Sequence, residues 1–326
     1  MSTFSDNFRG NFDGNGSSLG DLFLFDNFGD NAIWLMDGLG NRVGGGANLP
    51  FTGPTWHAKA VTDFNNAGPA DSDILWQNDN GTLALWQMQG TTILSQQNLP
   101  DPGMGWHANF ANDFNNDTGA DILFQHDLGN LAIWTLGGSG PPAITGQFNV
   151  SQNPGAGWHA VATGDTNGGG AGIVFQHDTG LVAIWENPVF NTTTGQVTFG
   201  AQANLQDVGT TWHVKGMGDV NGDARADIIL QNDNGAVAVW EMGGPNGTTT
   251  IGQFNVTQNP GASWHIAAVR DMNNDGRADL IFQNEDNGAG AIWANFQATG
   301  GTAAFMVQEN INPNLNPSGH LDWHIV

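Results

Sequence analysis

Residues 212–242 read WHVKGMGDVNGDARADIILQNDNGAVAVWEM, and variants of this stretch recur along the 326-residue chain. The dipeptide Trp-His stands at positions 56, 106, 158, 212, 264 and 323. A second tryptophan recurs at 34, 86, 134, 185, 240 and 293, and an acidic loop begins seven residues after each of the first five Trp-His pairs. Internal repeats of about 50 residues indicate a propeller or another repeat architecture.

Each copy divides into four short segments with the pattern of strands, separated by Gly, Asn and Asp turns. In the third segment of the quoted copy, Val237, Ala238, Val239 and Trp240 make both faces apolar, which is typical of a strand covered on both sides. These features predict an all-β protein, a six-bladed β-propeller of four-stranded antiparallel blades in one domain, 1–326. The predicted blades, called units 1 to 6 below, are 1–55 plus 323–326, 56–105, 106–157, 158–211, 212–263 and 264–322.

The two ends of the chain predict how the ring closes. The last Trp-His begins at Trp323 and has no unit of its own, whereas unit 1 carries Asp6 and Asn7 where its Trp-His should stand. We therefore expect the C-terminal strand to pair with the N-terminal blade, with Val326 level with Arg9. Such closure leaves no exposed sheet edge at either end.

The composition excludes several classes of function. Asp and Glu number 31 against 7 Lys and Arg, a formal charge of −24, which argues against binding to nucleic acid or to anionic membranes. The absence of cysteine excludes disulfides and cysteine nucleophiles. No apolar stretch is long enough to span a membrane, and residues 1–10 lack the pattern of a classical signal peptide. We expect a secreted or cell-surface protein without direct membrane insertion, exported by another route.

Three stretches, WHAVATGDTNGGGAGIVFQHD, VKGMGDVNGDARADIILQND and AAVRDMNNDGRADLIFQNED, resemble the FG-GAP and VCBS-type propeller repeats of integrin α subunits and bacterial secreted proteins. The resemblance extends over nearly the whole chain and implies the propeller fold more firmly than any function. The DxNxD loop matches residue by residue. Trp-His, in contrast, stands where the family often has Phe-Gly.

The acidic loops place oxygen-bearing side chains at positions 1, 3, 5 and 9. In a tight loop these side chains can converge on one cation, and a carbonyl at position 7 plus water would complete the coordination that Ca²⁺ prefers. We predict structural calcium in three complete loops and a weaker first loop, and none in the fourth, where Gly169 and Gly172 replace later ligands. The alternative is that these side chains cap their own backbone turns. The predicted ligands are Asp113, Asn115, Asp117 and Asp121; Asp219, Asn221, Asp223 and Asp227; Asp271, Asn273, Asp275 and Asp279; and Asp13, Asn15 and Asp21.

Antiparallel pairing of the first two strands should bring each Trp-His beside a Gln-Asx/His-Asp segment. An indole next to imidazole, amide and carboxylate groups suits a sugar, which stacks its C–H face and hydrogen-bonds through its hydroxyls. The alternative is that a constellation repeated in every blade packs one blade on the next. The predicted ligand-binding residues are Trp56, His57, Gln77, Asp79, Trp106, His107, Gln125, Asp127, Trp158, His159, Gln176, Asp178, Trp212, His213, Gln231, Asp233, Trp264, His265 and Gln283.

The sequence offers little for catalysis. It contains no nucleophile elbow, phosphate loop or coherent Ser/His/Asp set, and its acids recur by symmetry, whereas an active site is normally single. We therefore predict a non-catalytic binding propeller, a multivalent lectin-like or adhesion protein for a carbohydrate or glycoconjugate. The alternative is a calcium-stabilised scaffold for protein partners, contacted through its acidic rim and its long fourth-strand loops.

Overall fold

The computed structural model describes residues 11–12, 20–65, 72–138, 140–311 and 323–325. Their only regular secondary structure is β-strand, and within these ranges there is no helix that could cross a membrane. The strands are β1 (Leu22–Asp26), β2 (Asn31–Trp34), β3 (Ala47–Leu49), β4 (Trp56–Thr62), β5 (Asp73–Asn78), β6 (Leu83–Gln89), β7 (Thr92–Leu99), β8 (Trp106–Asn112), β9 (Asp121–His126), β10 (Leu131–Gly137), β11 (Ala143–Val150), β12 (Trp158–Gly164), β13 (Gly172–His177), β14 (Leu181–Asn191), β15 (Gln196–Asp207), β16 (Trp212–Gly218), β17 (Asp227–Asn232), β18 (Val237–Gly243), β19 (Thr249–Val256), β20 (Trp264–Arg270), β21 (Asp279–Asn284), β22 (Gly290–Thr299), β23 (Thr302–Asn310) and β24 (Trp323–Ile325).

Neighbouring strands within a unit are antiparallel. In units 2 to 6, four consecutive strands pair in chain order, and in unit 1 the order is β24-β1-β2-β3. Ile325 lies opposite Leu24 and Trp323 opposite Asp26, so the C-terminal strand pairs with the N-terminal unit as predicted. Val326 and Arg9, which we expect to be level, lie outside the described residues.

The described strands form four sheets where the sequence predicts six. β11 of unit 3 pairs in parallel with β15 of unit 4 over two residues, and β19 of unit 5 does so with β23 of unit 6. Each pair merges two units into an eight-stranded sheet. The cause is length, because the β14–β15 and β22–β23 hairpins are longer than their counterparts and reach the outer strand of the preceding unit. The architecture is thus all-β and propeller-like.

The apolar core lies between the units. Of the six hydrophobic clusters among the described residues, five combine side chains from two units adjacent in the chain. The remaining cluster joins the last unit to the first, where Trp34 and Met36 pack with Ile281, Ile292 and Trp323. Val237 to Trp240 are all buried, as expected for a strand covered on both faces. A single unit therefore cannot bury its own apolar surface, and the units must associate.

Backbone hydrogen bonds also join the acidic loops of neighbouring units. The residue before position 9 donates its N–H to a backbone carbonyl of the preceding loop, as Ala226 does to Asp165 at 2.8 Å. Gly20 donates to Met272 at 2.9 Å, which links unit 1 back to unit 6. The remaining links are Ser72 to Asn11, Ala120 to Asp63, Ala171 to Asp113 and Ala278 to Asp219. Neighbouring units are thus connected at the loop end as well as in the core.

Deleting residues 323–326 should lower the melting temperature by about 6–20 °C. The deletion removes the partner of β1 and takes Trp323, which is only 3% exposed, out of the core between units 6 and 1. Losing a buried aromatic costs about 3–5 kcal/mol, and each kcal/mol lowers the melting temperature of a large domain by about 2–4 °C. Thermal unfolding followed by circular dichroism measures the change. Met104→Ala, at a 95% exposed site, is the control, and an unchanged truncated chain would contradict closure.

Candidate functional site

The first two strands of units 2 to 6 place the predicted site residues side by side. Trp106 lies opposite His126 and His107 opposite Gln125, and the other four units repeat this register. Unit 1 differs, since its last-strand His324 lies opposite Phe25, with ring centroids 5.5 Å apart. The predicted juxtaposition is therefore present in five units. We call the end of the molecule that carries it the Trp-His face.

Each Trp-His histidine in units 2 to 6 pairs with a carboxylate on this face. Nε2 of His107 lies 2.8 Å from Oδ1 of Asp127, and the pairs of His57, His159 and His213 are equally short. His265 is more buried, and its Nδ1 lies 3.3 Å from Glu285. Burial lowers the pKa of His265, against the opposing effect of Glu285. Exposed pairs of this kind add little stability, so their effect is to hold fixed polar groups at the surface.

The glutamines of the constellation are buried and join neighbouring units. Nε2 of Gln125 donates to the carbonyl oxygen of Trp158 at 2.7 Å, and its Oε1 accepts the N–H of Ala160 at 3.0 Å. The same two bonds run from Gln77, Gln176 and Gln231 to the first strand of the next unit, and Gln283 donates to the carbonyl of Trp323. The sequence predicts Gln77, Gln125, Gln176, Gln231 and Gln283 as sugar ligands, whereas the structure commits their amides to the joint between units. One sequence signal indicates this structural role: glutamine occupies this position in all five units, whereas the next residue varies between Asn and His.

The two series of tryptophans differ in burial. The indoles of the recurring series at 34, 86, 134, 240 and 293 are buried in the cores between units, and Trp185 is half-buried. In the Trp-His series, Trp323 is buried, while the indoles at 56, 106, 158, 212 and 264 are only half-buried. These five therefore contribute to packing and still present part of their surface on the Trp-His face.

The acidic loops are folded around their own side chains. In the third-unit loop, Asp113 accepts the N–H groups of Asp117 and Thr118, at 3.1 and 2.8 Å, and Asn115 accepts that of Asp117 at 2.9 Å. The fifth- and sixth-unit loops repeat these bonds from Asp219, Asn221, Asp271 and Asn273. Asp117, Asp223 and Asp275 each accept an N–H two residues on. The capping of backbone turns, given as the alternative to calcium, is thus observed.

The position-9 carboxylates, at Asp121, Asp227 and Asp279, are fully buried. Asp121 accepts the N–H groups of Phe114 and Leu136, so it ties the loop to the third strand. Burial raises the pKa of Asp121 and Asp227 to about 8 and that of Asp279 to about 7. Backbone hydrogen bonds oppose this rise, and the carboxylates at positions 1 and 5 add to it.

No group of three or more His, Asp or Glu side chains is arranged to hold a metal ion in the part of the chain that the structure describes. Asp21 repeats the position-9 role in unit 1, since it accepts the N–H groups of Phe12 and Met36. Asp13 and Asn15, the other predicted ligands of that loop, lie outside the described residues.

The fourth loop contains a buried carboxyl that the sequence analysis missed. Gly172 stands at the position of Asp121, and a Cβ there would lie 2.3 Å from Cδ of Glu186. Glu186 reaches this space from β14 and accepts hydrogen bonds from Thr166 Oγ1 at 2.7 Å and Asn167 Nδ2 at 3.4 Å. Burial raises its pKa to about 9. The loop has exchanged one buried acid for another that comes from a different strand.

Two comparisons with known proteins gave matches. A family model described as FG-GAP-like repeat matches residues 219–282, which confirms the resemblance to FG-GAP-type repeats predicted from the sequence. No curated protein matches the chain. Among solved structures, Raptor of Chaetomium thermophilum is similar with 8% sequence identity and a TM-score of 0.49. The match covers 89% of this chain and 24% of the Raptor chain, so this chain spans about a quarter of that structure's length.

Gln125→Ala should lower the melting temperature by several degrees. The change leaves the carbonyl of Trp158 and the N–H of Ala160 without these partners, and each unsatisfied buried group costs about 1–3 kcal/mol. Calorimetric melting measures the loss. Gln297→Ala is the matched control, because Gln297 is exposed. An unchanged melting temperature together with weaker ligand binding would restore Gln125 as a ligand.

Glu186→Gln should remove part of the pH dependence of stability. With a folded pKa of about 9 against an ordinary 4.5, wild-type Glu186 favours the folded state below pH 4.5 and loses this contribution as the pH rises towards 9. The difference between variant and wild type should therefore grow with pH, by up to about 1.4 kcal/mol per pH unit. Urea unfolding at pH 5, 7 and 8.5 measures it. Glu241→Gln, at the half-buried equivalent position of unit 5, is the control, and parallel profiles for Glu186→Gln would refute the assignment.

Proposed function

We propose that the chain is a six-bladed β-propeller that binds ligands and does not catalyse, and that carbohydrate is the ligand of its Trp-His face. Six inter-unit cores, including the one that joins unit 6 to unit 1, support the six-bladed ring. The two eight-stranded sheets are then two pairs of blades joined at their outer strands. A binding or interaction domain is the role that FG-GAP-type repeats suggest.

The observation that carries the carbohydrate proposal is the set of exposed histidine–carboxylate pairs beside half-buried indoles in units 2 to 5, to which unit 6 adds a more buried and longer pair on the same face. A sugar needs an aromatic surface for its C–H groups and oriented polar groups for its hydroxyls. Each site alone would bind with millimolar to micromolar affinity, about −4 to −8 kcal/mol. Repetition on one face raises avidity for a polysaccharide or a glycan-coated surface, which fits a secreted or cell-surface protein.

A second candidate is the protein-binding scaffold. It is favoured by exposed apolar side chains in units 1 to 3, where Phe51 is 65%, Met104 95% and Leu128 65% exposed. Isolated exposed apolar residues are common, and a contiguous patch would be the stronger sign. A protein partner would tolerate loss of the histidine–carboxylate pairs, which a sugar would not.

A glycan array followed by calorimetry tests the carbohydrate proposal. Replacing Asp79, Asp127, Asp178 and Asp233 by Asn and Glu285 by Gln should lower glycan avidity at least tenfold, because the charged acceptor that binds a hydroxyl more strongly than an amide does is lost in all of units 2 to 6. The melting temperature should stay within about 2 °C, since exposed pairs contribute little. Asp30→Asn with Glu309→Gln, both on exposed side chains, controls for charge. No glycan binding by the wild-type chain would eliminate the proposal.

We also propose that calcium stabilises the loops of units 3, 5 and 6. Burial is the main cause of the raised pKa of the position-9 acids, and the carboxylates at positions 1 and 5 raise it further. This repulsion supports the proposal, because a cation between the carboxylates would relieve it. The ligands would be the side chains at positions 1, 3, 5 and 9, which would exchange part of their present bonds to backbone N–H groups for bonds to the ion. Bound calcium would supply only stability.

Calcium titrated into chelator-treated protein should release or absorb heat and raise the melting temperature, because an ion that binds only the folded state stabilises it. Asp223→Ala should reduce the stoichiometry by one, since it removes a charged ligand of the fifth-unit loop. Asp165→Ala, in the fourth loop, should leave the stoichiometry unchanged. Absence of any heat or stabilisation would dismiss calcium and leave the observed turn capping as the role of these residues.

A further inference from the structure

Units 3 and 4 differ from the other units at two positions of the Trp-His face. The residue opposite the tryptophan is histidine in units 3 and 4, at His126 and His177, asparagine in units 2, 5 and 6, and Asp26 in unit 1. The residue before the tryptophan changes with it, since it is glycine at 105 and 157 and a hydroxyl residue at 55, 211 and 263. The residue types at these two positions therefore change together, from a hydroxyl residue with asparagine to glycine with histidine.

The exchange has a steric cause. In unit 5, Nδ2 of Asn232 donates to Oγ1 of Thr211 at 3.2 Å, so the amide is bonded inside its own unit. In unit 4, a Cβ on Gly157 would lie 2.7 Å from Nε2 of His177, closer than real Cβ contacts come. The imidazole therefore occupies the space of the threonine side chain.

The hydrogen bonds of these two histidines fix where their proton lies. Nδ1 of His126 accepts the N–H of Leu128 at 3.0 Å, and Nδ1 of His177 accepts that of Thr179 at 3.2 Å. An accepting Nδ1 carries no hydrogen, so in the neutral ring the proton is on Nε2. Nε2 of both rings makes no hydrogen bond with the residues that the structure describes. Each therefore presents a free N–H donor on the Trp-His face.

An acceptor lies beside each donor. The Cβ position of Gly105 is 2.9 Å from Nε2 of His126 and 3.1 Å from Oδ2 of Asp127, so both atoms border the same point. His107 holds the other oxygen of Asp127 at 2.8 Å, which orients the carboxylate. The imidazole contacts the indole of Trp106, with ring centroids 5.1 Å apart. Unit 4 repeats the arrangement with Trp158, His159, His177 and Asp178.

We propose that the sugar sites of the Trp-His face are those of units 3 and 4, where His126 and His177 select a vicinal diol. One hydroxyl accepts the Nε2–H of the histidine, and its neighbour donates to Oδ2 of Asp127 or Asp178. Units 2, 5 and 6 have no second imidazole N–H beside the carboxylate. The asparagines of units 2 and 5 donate instead to a threonine hydroxyl of their own unit, and Asn284 of unit 6 accepts two backbone N–H groups. This inference rests on the proposed carbohydrate binding. Units 3 and 4 are adjacent, so one branched or repeated glycan can engage both sites.

The test uses the whole chain and three probes, methyl α-D-mannopyranoside, methyl β-D-galactopyranoside and methyl α-D-glucopyranoside. Titration followed through the tryptophan indole N–H resonances should show shifts at Trp106 and Trp158 for at least one probe, and none at Trp212. Gly157→Thr with His177→Asn, which gives unit 4 the residues of unit 5, should abolish the shift at Trp158 and keep that at Trp106. The reverse exchange, Thr211→Gly with Asn232→His, should create a third site and a shift at Trp212.

Folding is checked separately. Gly157→Thr alone should lower the melting temperature through its clash with His177, and adding His177→Asn should restore it. Ser263→Thr is the control, because it replaces one hydroxyl side chain by another and should leave the melting temperature unchanged. Equal binding in units 2 to 6, or an unaltered Trp158 site after the exchange, overturns this inference and leaves carbohydrate binding standing. A wild-type chain that binds none of the probes, and no glycan on the array, overturns both.

Discussion

In units 2 to 6, a buried glutamine amide near the end of the second strand joins the unit to the first strand of the next. Gln125 replaces the missing neighbour of that strand, since it accepts one backbone N–H and donates to one carbonyl as a strand would. Because each unit is apolar on both faces, neighbouring units could bury their apolar surfaces against each other in many relative alignments. The amide allows one alignment, since its two bonds reach residues at a fixed separation on the next strand. The positions of five of the six Trp-His pairs, those at 106, 158, 212, 264 and 323, follow from this constraint.

Much of this fold could be predicted from the sequence because its signals are local. The spacing of the Trp-His pairs and the apolar third strands report on pairing within a unit, and even the role of Trp323 follows from a strand that lacks a unit. The structure adds a bulge between Ala58 and Ala60, where the seven residues of β4 pair with the six of β5. The bond from Gln125 to Trp158 spans 33 residues and crosses between units, so no pattern within one repeat could predict it.

The sequence predicts which residues come together at the candidate site, but it does not predict which of them face solvent and which hold neighbouring units together. The histidines and their carboxylates lie on the surface, as the pair of His107 and Asp127 shows. The glutamine side chains are buried at the contact between units, and the indoles are half-buried. The acidic loops show the same limit, because an Asx side chain that caps a turn and one that binds an ion occupy the same positions. The buried position of Glu186 could not be predicted from the sequence for a different reason. Its partner position, Gly172, carries no side chain, so the sequence shows only an absence there.

The core shared by the last and first units makes every unit an internal one. In an open array of repeats, the two end units have one neighbour each and fray first. Here Trp34 and Met36 of the first unit pack with Ile281 and Ile292 of the last, so no unit has an uncovered face. Releasing any unit then means breaking two interfaces at once, which penalises partial opening and favours unfolding as a whole. Such a molecule offers proteases few local openings in its cores.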